Sequence, residues 1–379
     1  MFAFFLIVLL VPLAIGGIAF VFLDGVSLKE FGVIGAACLL VAAISAGIVS
    51  FSNTSDTEVW NGTVTGKEQV KVSCSHSYEC HCKQVKNCTG TGKNRTCTYD
   101  KVCDTCYEHS NDWDWDVYTS LGETMSIERI DRRGSNEPPR FTSVVIGEPT
   151  STTHSYTNYV KASPGSLFRH QGLSEKYATS IPTYPQNVYD YYRLDRLVTV
   201  GMSLPDAKDW NEDLSRINAE LGHPKQVNVI VVLVQNKPDD WYYALEESWI
   251  GGKKNDAILI VSVDSQMKPQ WASVMAWTTN ETFKIKLRDD IMDEQIVDRQ
   301  TIVRTLETNV AKYYARKPMK DFEYLSSQIV PSTTEWIVTL IATLLISVAL
   351  TIYMQVNDVF GDECYSRRTR FNTFSGGPG

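Results

Sequence analysis

Three uncharged apolar stretches limit what this chain can become: Met1–Leu23, residues 31–51 (FGVIGAACLLVAAISAGIVSF) and Trp336–Val356. At 1.5 Å per residue, each is long enough as a helix to cross a hydrocarbon layer of roughly 30 Å. The expectation is a transmembrane hairpin over 1–52 (helices 1–23 and 31–51), a third span at 335–356, and a polar region between them. Whole-chain averages conceal this. A mean hydropathy of −0.17 and a pI near 5.4 are ordinary for a soluble protein, because the polar middle dilutes the ends. A cleaved secretory signal would need a basic start, a shorter apolar core and a small-residue cleavage site. MFAFFLIVLL begins without a basic residue and no such site precedes Asp24, so the first stretch reads as a retained helix, kinked at Pro12 rather than broken.

Basic residues set the expected orientation. Arg367, Arg368 and Arg370 follow the last stretch, the 24–30 turn holds only Lys29, and the first stretch has none. Basic segments stay in the cytoplasm, which places the 357–379 tail inside and both the N-terminus and residues 53–334 outside.

Seven of the nine cysteines lie between Cys74 and Cys106: Cys74, Cys80, Cys82, Cys88, Cys97, Cys103 and Cys106. Such density means a covalent or a metal staple. Outside the cytoplasm disulfides persist and let a small module dispense with a core. Alternatively the C-x-C at Cys80 and Cys82 and the C-x-x-C at Cys103 and Cys106 supply thiolates to Zn²⁺, with His76, His81 and His109 as substitutes. The compartment favours disulfides, and an odd count leaves one thiol for a partner chain or a metal. Cys38 and Cys364 read as inert. Sequons at Asn53, Asn61, Asn87, Asn94 and Asn280 read as unused in a chain rich in Ser and Thr.

The outer region divides by pattern. Residues 56–73 alternate apolar and polar with a turn or bulge expected at Asn61-Gly62, and DWDWDVYTSLGETMSIERI continues as strands. Asp112, Asp114 and Asp116 would share one strand face, either as a Ca²⁺ site or as a solvated acidic face, and the second is the simpler reading. Residues 53–170 thus form a cysteine-rich, mostly β domain, and 171–205 a Tyr- and Pro-rich connector. From 206 to 325 amphipathic helices alternate with buried strands (226–235, 257–264, 271–279), one helix ending at a Gly222 cap and another at 297–317. The fold class is a membrane protein of α+β type, with the last domain an α/β sandwich.

VNVIVVLVQ, then a helix ending in Trp249-Ile250-Gly251, a basic turn with Lys253, Lys254 and Asp256, and the strand AILIVSVD resemble the core of the TPM domain family over residues 206–317. Where that family usually has Asn-Gly before the second strand this chain has Asp256-Ala257, and WTTNETFKIKL replaces its glycine-rich segment, so no catalytic residue is carried over. The resemblance implies a membrane-tethered extracytoplasmic module of the kind that serves as a weak phosphatase or an accessory scaffold. The whole order (apolar hairpin, cysteine module ending CDTCYEH, HSYTNYV at 154–160, TPM-like domain, final helix) resembles uncharacterised membrane proteins of large tailed bacteriophages. That implies the inner membrane of an infected bacterium.

The sequence contains no P-loop, dinucleotide fingerprint, HExxH or G-x-S-x-G. A net charge of −8 and the outer compartment disfavour nucleic acid as a partner. Asp239, Asp240, Asp256 and Asp264 fall at strand ends or turns and could hold a cation, which is the basis of an alternative reading as a metal-dependent phosphatase. Gly32 and Ala36, Ala42 and Ala46, and Ala43 and Gly47 recur at four-residue spacing in the second span, where small residues let helices approach closely. The reading taken forward is a non-enzymatic envelope scaffold in the lipid bilayer, self-associating and bound to another envelope protein. No cofactor is required beyond Zn²⁺ or Ca²⁺ at the sites named.

Overall fold

A computed structural model describes residues 2–22, 28–89, 96–163, 172–190, 193–357 and 359. The basic tail, the sequon at Asn94 and His170 lie outside the described residues.

Each apolar stretch is a helix: α1 (Phe2–Phe22), α2 (Leu28–Thr54) and, at the far end of the chain, α10 (Thr333–Val356). Phe4 meets Trp336 edge-on with ring centroids 4.7 Å apart. Ser52 and Asn53, at the end of α2, donate to Glu335 at 3.3 Å. Glu335 also closes a capping box with Ser332. The start of α1, the end of α2 and the start of α10 therefore share one end of the bundle. Phe4, Val8, Ala42 and Val49 make its core. Ile34, Cys38 and Met354 make a second buried cluster further along, but only 22% of the most apolar window of α2 and 17% of that of α10 are buried. Both helices are long and apolar enough to cross a membrane, and a soluble protein's core helix would be mostly buried instead.

Strand β1 (Ser55–Val72) begins at the residue after α2. Its first half pairs antiparallel with β6 (Pro149–Thr157), and its second half with β4 (Asp112–Thr119), which pairs with β5 (Thr124–Ile127). The turn expected at Asn61-Gly62 does not form, because the strand runs through it and bulges only between Val64 and Gly66. Between β1 and β4 the chain leaves the sheet as a separate ribbon, β2 (Ser77–Thr89) and β3 (Thr96–Tyr107). The sheet has an apolar core of its own, Val64, Trp115, Val117, Ile127, Phe141 and Val144, closed by the short helix α3 (Pro139–Ser143). The cysteines do not replace that core; six of the seven lie in the ribbon, and Cys74 in the connector before it.

Helix α4 (Tyr159–Ala162) and α5 (Leu173–Lys176) lead into the second sheet, ordered β10-β9-β8-β7. Strands β7 (Leu197–Val200), β8 (Asn228–Gln235) and β9 (Asp256–Val263) are parallel, and β10 (Pro269–Ala276) runs against β9. β8 and β9 are buried on both faces, which is why they read as unbroken apolar runs. One face packs against α6 (Ala207–Lys225), α8 (Thr282–Met292) and α9 (Arg299–Tyr313) through residues such as Leu214, Leu287 and Leu306. The other face carries α7 (Asp240–Trp249) and the segment from Tyr177 to Tyr184. A 3-10 helix, Met319–Gln328, precedes α10.

The described residues of the expected connector 171–205 are therefore more than a link: they supply β7 and cover α7. Helix α8 was not expected. Gly222 does not cap α6, which continues to Lys225 and is stopped by Gln226 in the left-handed region. Gly222 instead lies against β1, where a Cβ would stand 2.5 Å from that of Asn61.

Candidate functional site

Chemistry-bearing side chains gather at two places, the seam between the two sheets and the ribbon. At the seam β1 meets the N-terminal ends of β8 and β9. Asn61, 1% exposed, donates to Asn218, Asn228 and the Val227 carbonyl and accepts from Ser151 and Arg196. This burial removes it as a glycan acceptor. Arg196, also 1% exposed, has its guanidinium pushed down to about 10 by burial. Glu58 is 1% exposed and pairs with Lys254 at 2.9 Å and Arg316 at 3.6 Å, while Trp60 Nε1 donates to it.

Beside it, burial tends to raise Asp56, but Lys253 and Asn158 outweigh that and hold the carboxyl below its ordinary value. Asp256 behaves the other way. Burial pushes its carboxyl up to about 6, and the Lys253 N–H, Asn228 and Tyr184 donors offset only part of that. Every charge at this seam has a partner on the opposite sheet or on the segment that covers it. The arrangement fastens the two domains together, and it lies at the end of the parallel strands opposite to that where α/β sheets bind ligands.

The four aspartates proposed for a cation do not gather. Asp256 starts β9 and Asp264 follows its end, about 25 Å further on at 3.3 Å per residue. Asp264 accepts from the N–H groups of Gln266 and Lys268 in its own turn. Asp240 is taken by Lys176 and Tyr177, and Asp239 stands at the N-terminus of α7. The Asp112, Asp114 and Asp116 face also dissolves: Arg129 bonds to Asp112 and Asp114, and Ser126 to Asp116.

In the ribbon six cysteines pair as Cys80–Cys106, Cys82–Cys103 and Cys88–Cys97, a nested ladder across two antiparallel strands. The C-x-C and C-x-x-C pairs thus form disulfides and supply no thiolates to Zn²⁺. Cys74 remains free and buried, and Cys38 is buried in α2 beside Ser347. Both strands are exposed or half-exposed along their described length, with Tyr78, Tyr99, Val102 and Tyr107 more than 45% exposed. Sequence reasoning found the cysteines but had no signal for how far the ribbon stands off.

The small residues of α2 split into two sets. Ala42 and Ala46 face the bundle core, whereas Gly32, Ala36, Ala43 and Gly47 are exposed on its outside. The largest cavity among those described, about 750 Å³, lies between the β domain and α6 and is lined by acids and bases together, Glu148, Arg193, Glu212 and Arg216 among them. No protein family matches the chain, and neither a curated protein nor a solved structure matches it.

Proposed function

We propose that this chain is an integral membrane protein of the bacterial envelope, phage-encoded, whose outer region is a non-enzymatic scaffold that assembles with copies of itself and with another envelope protein. The α/β domain serves in it as a TPM-like module. The observation that carries the reading is the ribbon. An isolated two-stranded sheet is marginal in water, and here three disulfides staple one that no described element covers. Exposed tyrosines on a rigid support are what a partner surface uses. The anchor rests on Leu40, Ile48, Phe51, Leu345 and Val356, each at least 60% exposed around the helix bundle. Lipid would cover them, and water would not tolerate them as one continuous belt.

Two measurements test the reading. On intact cells a membrane-impermeant maleimide should label Lys208→Cys, whose parent side chain is 84% exposed, and should reach Cys364 only after the membrane is opened. Labelling of Cys364 from outside would sink the anchored topology. In mild detergent, light scattering should give a protein mass that is a multiple of 42.6 kDa. Ala43→Leu with Gly47→Leu, both on the exposed face of α2, should lower it. A monomer mass for the unmutated chain removes self-assembly from the proposal.

A further inference from the structure

Two short connectors meet where the ribbon leaves the sheet. One joins Val72 of β1 to Ser77 of β2, and the other joins Tyr107 of β3 to Asp112 of β4. The first carries Cys74 and His76; the second carries His109 and leads straight into Asp112. Cys74 Sγ lies 3.5 Å from His109 Nδ1 and 4.0 Å from His76 Nδ1. Asp112 is 3.4 Å from each imidazole, through Oδ2 to His76 Nδ1 and through Oδ1 to His109 Nδ1. One ligand atom from each of the four residues lies within 4.8 Å of every other.

A metal ion at the centre accounts for these separations. With Zn–S about 2.3 Å and Zn–N or Zn–O about 2.0–2.1 Å, a tetrahedron has edges of about 3.5 Å for S···N and about 3.3 Å for N···O. With Asp112 ligating through Oδ1, the Cys74–His109 and His109–Asp112 edges agree and the Cys74–His76 edge is longer by about half an ångström; the 3.4 Å from His76 runs to Oδ2, the oxygen outside the tetrahedron. Asp112 supplies the second observation. It is 0% exposed, and its Oδ1 accepts no hydrogen bond. Its other oxygen is fully used, by the Ser75 N–H at 3.1 Å and by Arg129 at 3.2 Å.

One oxygen left bare towards the cluster and the other held from outside is how a ligating carboxylate is supported. In a merely hydrogen-bonded cluster Oδ1 would accept a hydrogen bond from the His109 Nδ1–H. At 3.4 Å that bond is not made. The charges also balance: a thiolate and a carboxylate neutralise a divalent ion, and Arg129 is matched by Asp114 at 2.7 Å.

We propose that Cys74, His76, His109 and Asp112 bind one Zn²⁺ in a closed, four-coordinate site that fixes the root of the ribbon to the sheet. Four protein ligands leave no open position, so the site is structural and not hydrolytic. The other two cysteine clusters close to ligand geometry, Cys80 with His81 and Cys106 and Glu79 with Cys82 and Cys103, consist of disulfide sulfurs on an exposed surface and take no metal while oxidised. The proposal stands independently of the scaffold reading.

Full-length protein purified in mild detergent, without chelator or reductant, should carry one zinc per chain by elemental analysis. Co²⁺ exchanged into the site should show the intense visible bands of a four-coordinate ion and a thiolate-to-cobalt charge-transfer band. Cys74→Ser should abolish that band and His109→Ala should lose the zinc. His223→Ala, on the exposed side of α6, should change neither. Ligand variants can fail to fold, so X-ray absorption at the zinc edge of the unmutated protein reads the site directly: one sulfur and three nitrogen or oxygen neighbours. The proposal is overturned by unmutated protein that retains neither zinc nor cobalt after loading. It is equally overturned by a sulfur-free coordination shell, or by metal that binds only after reductant opens the disulfides.

Discussion

Glu58→Ala should destabilise the outer region by about 3 kcal/mol, the low end of what breaking a buried ion pair costs. The low end applies because Lys254 and Arg316, the cations left behind, keep side-chain exposures of 14% and 19% and can turn towards water. Chemical denaturation followed by tryptophan fluorescence would measure it. The double variant Glu58→Ala, Lys254→Ala should lose less than the sum of the two single losses, since the pair is a direct contact. If Glu58→Ala stays within about 0.5 kcal/mol of the parent, as an ordinary surface change would, then the two sheets are not joined at this seam in solution.

Reduction of the ribbon disulfides should melt the ribbon alone. Each such bond commonly contributes about 2–4 kcal/mol by limiting the unfolded chain, and the ribbon has no apolar core to hold it once they open. Hydrogen exchange with and without reductant should show amides of residues 77–89 and 96–107 losing protection. Those of β8 and β9, buried on both faces, should remain unchanged. Loss of protection in β4 and β5 to the same extent would restore the expectation drawn from the sequence, that the cysteines stand in for the core of the whole β domain.

Elements whose pattern is decided by burial were legible in the sequence. VIVVLV and ILIVSV form β8 and β9 because both faces are covered, and no competing period exists in them. Helix α8 was hidden because FKIKL alternates like a strand, while the spacing that matters is Phe283, Leu287 and Ile291, which are fully buried along one helical stripe. Strand β7 was hidden because four half-buried residues at a sheet edge carry almost no pattern.

Two glycine signals misled for a shared reason. Asn61-Gly62 and Gly222 each look like turn or cap chemistry, yet Gly222 lies against Asn61 across the seam and Gly62 against Ser120 and Leu121, and at both glycines the neighbour leaves no room for a side chain. Local chemistry cannot reveal a contact between residues this far apart in sequence. The cluster of Cys74, His76, His109 and Asp112 was half visible. An odd seventh cysteine announced a thiol without a mate, but Asp112 read as part of an acidic strand face, and only the pairing of β1 with β4 brings the two connectors together.

The continuity of β1 bears on how a partner could meet this protein. It starts at the residue after α2 and ends two residues before Cys74, so a single strand runs from the helix bundle to the foot of the ribbon. Eighteen residues at about 3.3 Å each span up to about 60 Å. No loop interrupts the passage from helix to strand, and Glu335 clasps the ends of α2 and α10 at its base. On the membrane-anchored reading this makes β1 a stay whose residue count sets an upper limit on how far the ribbon's foot can stand from the bundle, with no loop to lengthen it. A partner of the ribbon would then have to come within that limit, because no slack in the chain can carry the ribbon further out to meet it.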